Sequence, residues 1–206
     1  PGLDGHSNGA EQIAVRAREA GMDVVYEGIR FTPADIAQAA RDKNVHVVGL
    51  SMGGLLALKL AAEAPVDRVV AMSTPVTIAD KRIGWLPFYK YLREYMPKRR
   101  KQYDVDPEYT IGYDKTPLKP LDSLLKLIKK TLEVLPKVQA PALIIQSRSE
   151  HTVRPESAQV IYDALGSKHK QLLWLEKSGH MITLDEEREQ VFHAVEQFLL
   201  EREEDE

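Results

Sequence analysis

The sequence predicts an α/β fold built on a doubly wound, mostly parallel sheet. Short apolar, β-branched runs alternate with longer helical patterns along the 206 residues, as in strands joined by right-handed helical crossovers. No internal repeat or low-complexity linker divides the chain, so we expect one domain over 1–206. The expected strands are 23–27, 45–50, 66–73, 142–146 and 171–175, and the expected helices are 7–20, 32–41, 55–64, 121–134, 155–165 and 186–201.

Start and stop signals bound the first of these elements. Gly21 follows the first helical pattern and fits a left-handed C-terminus. Thr32 is a good N-cap for the second helix, because Pro33 then takes the first helical position. Strand 45–50 is β-branched, and the alanine- and leucine-rich helix begins almost directly after it.

An aromatic-rich stretch at 81–116 interrupts the α/β alternation. With the helix that follows it, this stretch is predicted to form a helical lid over 81–135. It contains the basic run Lys98–Lys101. Basic residues among aromatic ones can bind nucleic acid, but Pro97 and the acidic background favour a solvated helix face.

Composition excludes several classes of protein and site. A net charge of −3 leaves no nucleic-acid footprint at the level of the whole chain. The absence of cysteine excludes a disulfide framework, a thiolate nucleophile and a cysteine-based metal site, so we expect no metal centre and a cytoplasmic location. No apolar run has the length of a membrane span, so we expect no membrane partner.

The functional interpretation depends first on the turn after strand 45–50. There the sequence has Gly49-x-Ser51-x-Gly53 between a strand and a helix. This is the pattern of a nucleophile elbow, in which a tight turn projects the serine hydroxyl clear of the sheet and small neighbours avoid a clash. The helix N-terminus then directs free N–H groups toward developing negative charge. A glycine-rich strand–helix turn without chemistry is the alternative.

Two later loops supply the other residue types that a nucleophilic serine needs. Glu150 lies in the loop after the fourth expected strand, and His180 in the loop after the fifth. Because parallel strands end at one edge of a sheet, both are expected within hydrogen-bond reach of Ser51. The imidazole would act as general base, and the carboxylate would fix its tautomer. His151 competes for this role, but its place beside the acid favours a structural function.

Three stretches, 49–55, 140–148 and 178–185, carry a family likeness. Through them the chain resembles the small bacterial carboxylesterase and monoacylglycerol-lipase branch of the α/β-hydrolases over 48–200. By motif position, the resemblance implies a serine hydrolase of short or medium acyl esters, with Ser51 as nucleophile, His180 as base and Glu150 as acid, and no cofactor. That branch usually has Asp at the acid position. One extra methylene can misplace the carboxylate, so we expect weak activity.

The N-terminal quarter carries a different likeness. The pattern Asp4-x-His6-x-x-Gly9 is similar to the signature of the cobalamin-binding domain of methylmalonyl- and ethylmalonyl-CoA mutases, which 1–51 resembles; a flavodoxin-like arrangement is implied there. In that family the matching histidine replaces the lower cobalt ligand, and the matching aspartate orients it. The family continues with Ser-x-Leu, which Ser51 does not begin here. We therefore expect a relic that binds no cobalamin.

A natural chain rarely changes family within one sheet. The two likenesses therefore predict an engineered or selected chimera, in which 1–51 replaces the N-terminal part of a hydrolase and 52–206 is the remainder. The opening glycine-rich loop then stands where esterases complete an oxyanion hole, so the amides of Met52 and Leu3 are the expected donors. A folded but inactive chimeric scaffold and a cobalamin-binding module stay open as alternatives.

The strand that should lead into the opening loop is missing from the sequence pattern. A missing strand leaves an edge or slot of the sheet open. Exchange of a strand between two copies would cover it, so a homo-oligomer is expected on this ground. The other expected partner is a small-molecule ester.

Overall fold

The computed structural model of the chain describes residues 15, 18, 19, 21, 24, 33–43, 45–77, 86, 93–97 and 115–201. The chain divides into two compact units, Pro1–Asn44 and Val45–Glu206. In chain order the elements are α1 (Pro33–Lys43), β1 (His46–Leu50), α2 (Met52–Glu63), β2 (Arg68–Met72), β3 (Tyr95–Pro97), β4 (Lys115–Pro117), α3 (Leu118–Val134), a 3₁₀ turn (Leu135–Lys137), β5 (Ala142–Ser147), α4 (Glu156–Ala164), β6 (Lys170–Leu175) and α5 (Arg188–Leu200).

In the first unit, α1 begins at Pro33, as the sequence predicts. Gly21 has a φ of +84°, and its N–H donates to the Arg18 carbonyl at 2.9 Å. This is the left-handed geometry of a glycine that ends a helix. Apart from Val24, which is described but not assigned to a strand, the predicted strand 23–27 lies outside the described residues, and so does most of the predicted helix 7–20.

The second unit is built on four parallel strands in the order β1-β2-β5-β6. Helix α2 connects β1 to β2, and α4 connects β5 to β6, because parallel neighbours need a crossover rather than a hairpin. All four carboxyl ends therefore meet at one edge of the sheet. The predicted parallel α/β sheet is confirmed, and the four predicted strands from residue 45 onward are present.

Strands β2 and β5 lie in the middle of this sheet and are buried along their whole length. Their side chains alternate between the two faces. Val69 and Ala71 join a core cluster with α2 and α4, whereas Val70 and Met72 join a second cluster with α5. Helices thus cover both faces, which is the doubly wound arrangement that the sequence predicts.

The insertion before α3 differs from the predicted helical lid. Strands β3 and β4 pair as a short antiparallel ribbon. Pro97 and Pro117 explain the difference, because proline disfavours a helix interior and is tolerated on edge strands. Helix α3 begins three residues earlier than predicted, since Pro120 fits the first turn, where N–H groups lack an intrahelical acceptor. A wholly helical 81–116 is therefore wrong, and a lid over 81–135 stays a prediction.

The longest helix among the described residues is α3, with 17 residues. It buries Leu118, Ile128 and Thr131 and is otherwise rich in lysine, so only one stripe faces the core. No helix in the described parts of the chain is long and apolar enough to cross a membrane.

Candidate active site

Ser51 lies on the turn between β1 and α2. Its φ of 56° and ψ of −120° are a strained combination for a residue with a side chain, at about 1–3 kcal/mol. Two backbone hydrogen bonds hold the turn: the Ser51 N–H donates to the Met72 carbonyl at 2.8 Å, and the Gly54 N–H donates to the Ser51 carbonyl at 3.0 Å. The turn therefore has the tight conformation that a nucleophile elbow requires.

The glycines around Ser51 have different surroundings. A Cβ on Gly49 would lie 2.2 Å from the Gly53 carbonyl oxygen, and a Cβ on Gly54 would lie 1.9 Å from Thr74 Oγ1. Neither position has space for a side chain. A Cβ on Gly53 would meet no atom of the described residues within 4 Å. Small neighbours are therefore required at Gly49 and Gly54, whereas at Gly53 the described structure leaves space.

Side chains from three loops meet at the carboxyl edge of the sheet. His180 Nε2 lies 2.9 Å from Ser51 Oγ, and His180 Nδ1 lies 2.6 Å from Glu150 Oε2. When Nδ1–H donates to the carboxylate, the lone pair of Nε2 faces the serine hydroxyl. The result is a hydrogen-bonded chain from carboxylate to imidazole to hydroxyl, so the serine proton has an acceptor already in place.

The Glu150 side chain is fully buried, and that of His180 is 13% exposed. Glu150 Oε1 accepts the backbone N–H groups of Thr152 and Val153. Burial alone raises the pKa of Glu150, but the hydrogen bond and charge of His180 and the two amides outweigh it, so this pKa lies below its ordinary value of 4.5. The carboxylate is therefore ionised at neutral pH. Its extra methylene, relative to Asp, does not keep it from the imidazole.

Hydrogen bonds join the loop that carries the acid to the loop that carries the histidine. Ser147 Oγ donates to the Ser178 carbonyl, and Ser149 Oγ donates to the Glu176 carbonyl at 2.6 Å. The Ser149 N–H also donates to Ser147 Oγ at 3.1 Å. Sequence reasoning missed these contacts, because a serine in a loop gives no signal of the carbonyl that it binds.

The other predicted site residues are placed as follows. His151 is exposed, and the hydrogen-bonded chain runs through His180 instead. Met52 is the first residue of α2, where backbone N–H groups lack intrahelical acceptors. Among the described residues, no group of three His, Cys, Asp or Glu side chains could hold a metal ion. Four predicted residues lie outside the described part of the chain: Leu3, Asp4, His6 and Gly9.

A doubly wound parallel sheet with Ser, His and Glu joined at its carboxyl edge defines a serine hydrolase of the α/β-hydrolase class. The chain belongs to the family described as serine aminopeptidase, S33 (Hydrolase_4), which it matches over residues 3–187. It is 30% identical to a carboxylesterase of Bacillus subtilis over 199 residues, which are 97% of this chain and 79% of that protein. It is 34% identical to a thermostable monoacylglycerol lipase of Bacillus sp. over 149 residues, which are 70% of this chain and 58% of that protein. The predicted carboxylesterase and lipase resemblance is confirmed, and this hydrolase class needs no cofactor.

Solved structures have the same fold. The match to a structure of LipS and LipT, two metagenome-derived lipolytic enzymes, has a TM-score of 0.74 at 26% identity and covers 96% of this chain and 90% of that chain. The monoacylglycerol lipase of Paleococcus ferrophilus matches with a TM-score of 0.67 at 19% identity, over 96% of this chain and 91% of that chain. At 19% identity the second match shows the fold alone. The predicted α/β-hydrolase-like fold is confirmed.

A second similarity covers a quarter of the chain. The chain is 67% identical to the ethylmalonyl-CoA mutase of Cereibacter sphaeroides over 52 residues, which are 25% of this chain and 8% of that mutase. The predicted resemblance to acyl-CoA mutases is thus confirmed for a short segment. The chain is therefore similar in sequence both to carboxylesterases and, over a quarter of its length, to acyl-CoA mutases.

Proposed function

We propose that the chain is a serine carboxylesterase that hydrolyses esters of short or medium acyl groups. The observation that carries the proposal is the pair of hydrogen bonds linking Glu150, His180 and Ser51. In this proposal Ser51 is the nucleophile, His180 is the general base and then the general acid, and Glu150 orients the imidazole. The carboxylesterase relative supports the same class of reaction.

The reaction has two halves. Ser51 Oγ attacks the ester carbonyl carbon while its proton passes to His180 Nε2, and the carbonyl oxygen takes the negative charge. Collapse of this intermediate breaks the bond to the alcohol oxygen, which leaves with the proton from Nε2, and Ser51 stays acylated. Water then attacks the acyl group with His180 again as base, which releases the acid and restores Ser51. Glu150 stays ionised and stabilises the imidazolium in both halves.

The oxyanion needs N–H donors close to Ser51. The Met52 amide is the first proposed donor, because it directly follows the nucleophile and belongs to the first turn of α2. The Leu3 amide is the second proposed donor, and this assignment rests on the sequence of the opening loop alone. Each such donor is worth about 10²–10³ in kcat where it has been removed in other enzymes.

Solvent-exposed apolar residues come shortly after Ser51 and His180 in the sequence. Met52 comes directly after Ser51, and Met181 and Leu184 come soon after His180. These three side chains are 52%, 36% and 39% exposed, respectively. Exposed apolar groups close in sequence to the reacting residues support an apolar acyl group on the substrate, since apolar groups line most small-molecule sites.

Hydrolysis of p-nitrophenyl acetate and butyrate tests the proposal. The parent chain is compared with Ser51→Ala and with Ser123→Ala, a control serine on α3 whose hydroxyl donates to the carbonyl of Lys119 in the same helix. We expect Ser51→Ala to lose about 10³-fold or more of the rate and Ser123→Ala to keep it. A fluorophosphonate probe should label the parent and Ser123→Ala alone. Equal rates for folded parent and Ser51→Ala would contradict the proposal and favour the inactive scaffold.

The origin of the chain as a chimera, with weak activity, is part of the proposal. The support for a chimera is that the chain matches a carboxylesterase over 97% of its length and, over 25% of its length, also matches an acyl-CoA mutase at 67% identity. In this view Asp4-x-His6-x-x-Gly9 is a relic, and titration with hydroxocobalamin is expected to give no spectral shift. A shift that His6→Ala abolishes would favour a cobalamin-binding module instead. Strand exchange between two copies and a cytoplasmic location stay predictions.

A further inference from the structure

Residues 176–180, here called the histidine loop, are held from one side by Glu187. Its Oε1 accepts the Glu176 N–H at 3.0 Å, and its Oε2 accepts the N–H groups of Lys177 and Ser178 at 3.0 and 2.7 Å. The Ser178 hydroxyl donates to the same Oε2 at 2.7 Å. Both carboxylate oxygens are thus occupied by donors of one loop.

Asp185 completes this arrangement. Its Oδ2 accepts the Gly179 N–H at 2.7 Å, and its Oδ1 accepts the Glu186 N–H at 2.8 Å. Asp185 is only 7% exposed, so these hydrogen bonds are shielded from water. Together the two carboxylates bind four successive backbone amides, 176–179, that directly precede His180.

Helix capping does not explain the hydrogen bonds that the Glu187 side chain makes. The residue is the N-cap of α5, yet its side chain makes no hydrogen bond to the N–H groups of that helix. N-cap positions favour Ser, Asp and Asn, whose short side chains reach those groups. Burial raises the pKa of Glu187, but the Ser178 hydroxyl and the three loop amides outweigh it and lower this pKa from 4.5 to about 2. The carboxylate is therefore charged at any pH at which an imidazole can act as a base.

We propose that Glu187 and Asp185 are positioning residues for His180, because they fix the backbone of the histidine loop. This inference rests on the proposed function of the triad. The two imidazole hydrogen bonds, 2.9 Å to Ser51 and 2.6 Å to Glu150, reach groups on two other loops. A shift of the His180 backbone that side-chain rotation does not compensate lengthens at least one of them, and about 1 Å of misplacement costs about 10²-fold in rate.

Glu187→Gln tests this assignment. The loop donates hydrogen bonds to both carboxylate oxygens of Glu187, but glutamine has only one acceptor oxygen. Its NH₂ group would therefore face a backbone N–H. Glu189→Gln is the matched control, because Glu189 lies in the first turn of the same helix, is 81% exposed and pairs with Arg188. We expect Glu187→Gln to lower kcat for p-nitrophenyl butyrate about ten- to a hundredfold with little change in KM. The control should keep both constants.

The proton between His180 Nδ1 and Glu150 Oε2 gives a readout that does not need turnover. A short, charge-assisted hydrogen bond gives a low-field ¹H NMR signal, which His180→Ala assigns. We expect this signal in the parent and in Glu189→Gln, and we expect it to broaden or vanish in Glu187→Gln. A merely structural role would lower Tm and leave both the signal and kcat per folded molecule unchanged.

Each outcome decides the assignment. Parental kcat and a parental low-field signal in folded Glu187→Gln would overturn it, and so would absence of the signal from the parent. If the parent hydrolyses no faster than Ser51→Ala, the proposed function fails, and the ring-proton signal alone then decides whether Glu187 positions the imidazole. Should Glu187→Gln not fold, Asp185→Asn, which leaves the Glu187 contacts in place, is measured in the same way.

Discussion

Replacing Gly49 with alanine is expected to displace the elbow. The added Cβ would lie 2.2 Å from the Gly53 carbonyl oxygen, about 1.2 Å inside the 3.4 Å at which ordinary van der Waals contact begins. The obstructing atoms belong to the backbone of the first turn of α2, so the turn itself must move, and Ser51 moves with it. Overpacking of this kind costs about 1–3 kcal/mol of unfolding free energy. A displacement of about 1 Å at the nucleophile costs about 10²-fold in rate.

Gly53→Ala is the matched comparison, since its Cβ would meet no atom of the described residues within 4 Å. Alanine is favoured over glycine in a helix by about 0.5–1 kcal/mol, so this variant should be slightly more stable than the parent. Urea unfolding and p-nitrophenyl butyrate hydrolysis are measured for both variants, with Ser51→Ala as the background rate. The reasoning is refuted if Gly49→Ala keeps parental stability and rate, or if Gly53→Ala loses as much stability as Gly49→Ala.

Three smaller changes test the charges and contacts around the elbow and the triad. The pKa of Glu187 is about 2 in the folded chain against 4.5 ordinarily, so its contribution to stability is complete above about pH 4.5 and is lost as the pH falls toward about 2. The difference in urea midpoint between parent and Glu187→Gln should close over that window, and a constant difference would contradict this. Gly54→Ala should lower the free energy of unfolding by about 1–3 kcal/mol, because the added Cβ would lie 1.9 Å from Thr74 Oγ1. In a Thr74→Ala background the same substitution should cost less, as measured by urea unfolding. Glu150→Asp should lower kcat, since a side chain shorter by about 1.5 Å cannot accept its loop amides and reach His180 at once; a faster variant would point to strain in the glutamate.

The parallel sheet could be predicted because its central strands are buried on both faces. A strand in that position has a short continuous apolar run in its sequence, and 142–145 is such a run. The ribbon of β3 and β4 could not be predicted from the aromatic pattern of 81–116. Three-residue strands are too short to show a period of two, and the two prolines mark only where a helix is interrupted.

The residues of the candidate site could be predicted from the topology of the sheet more than from any single motif. Ser51, Glu150 and His180 each follow a strand of one parallel sheet, so chain order and strand ends suffice to bring them together. The contacts that fix the histidine loop could not be predicted from the sequence. Glu187 binds backbone amides, and every residue except proline presents the same amide, so no residue type in the loop identifies its partner.

The core clusters have a consequence for how such a chain can arise by recombination. Every buried member of both clusters lies between residues 57 and 198, and from β1 only Val47 and Leu50 pack against them. A crossover at the turn after β1 would therefore exchange one of the four parallel strands that the structure describes and would leave the buried members of both clusters unchanged. It also preserves the reactive position, provided that the incoming strand ends in Gly-x-Ser. Recombination at the strand–helix turn of Ser51 would therefore leave every buried member of the two clusters unchanged.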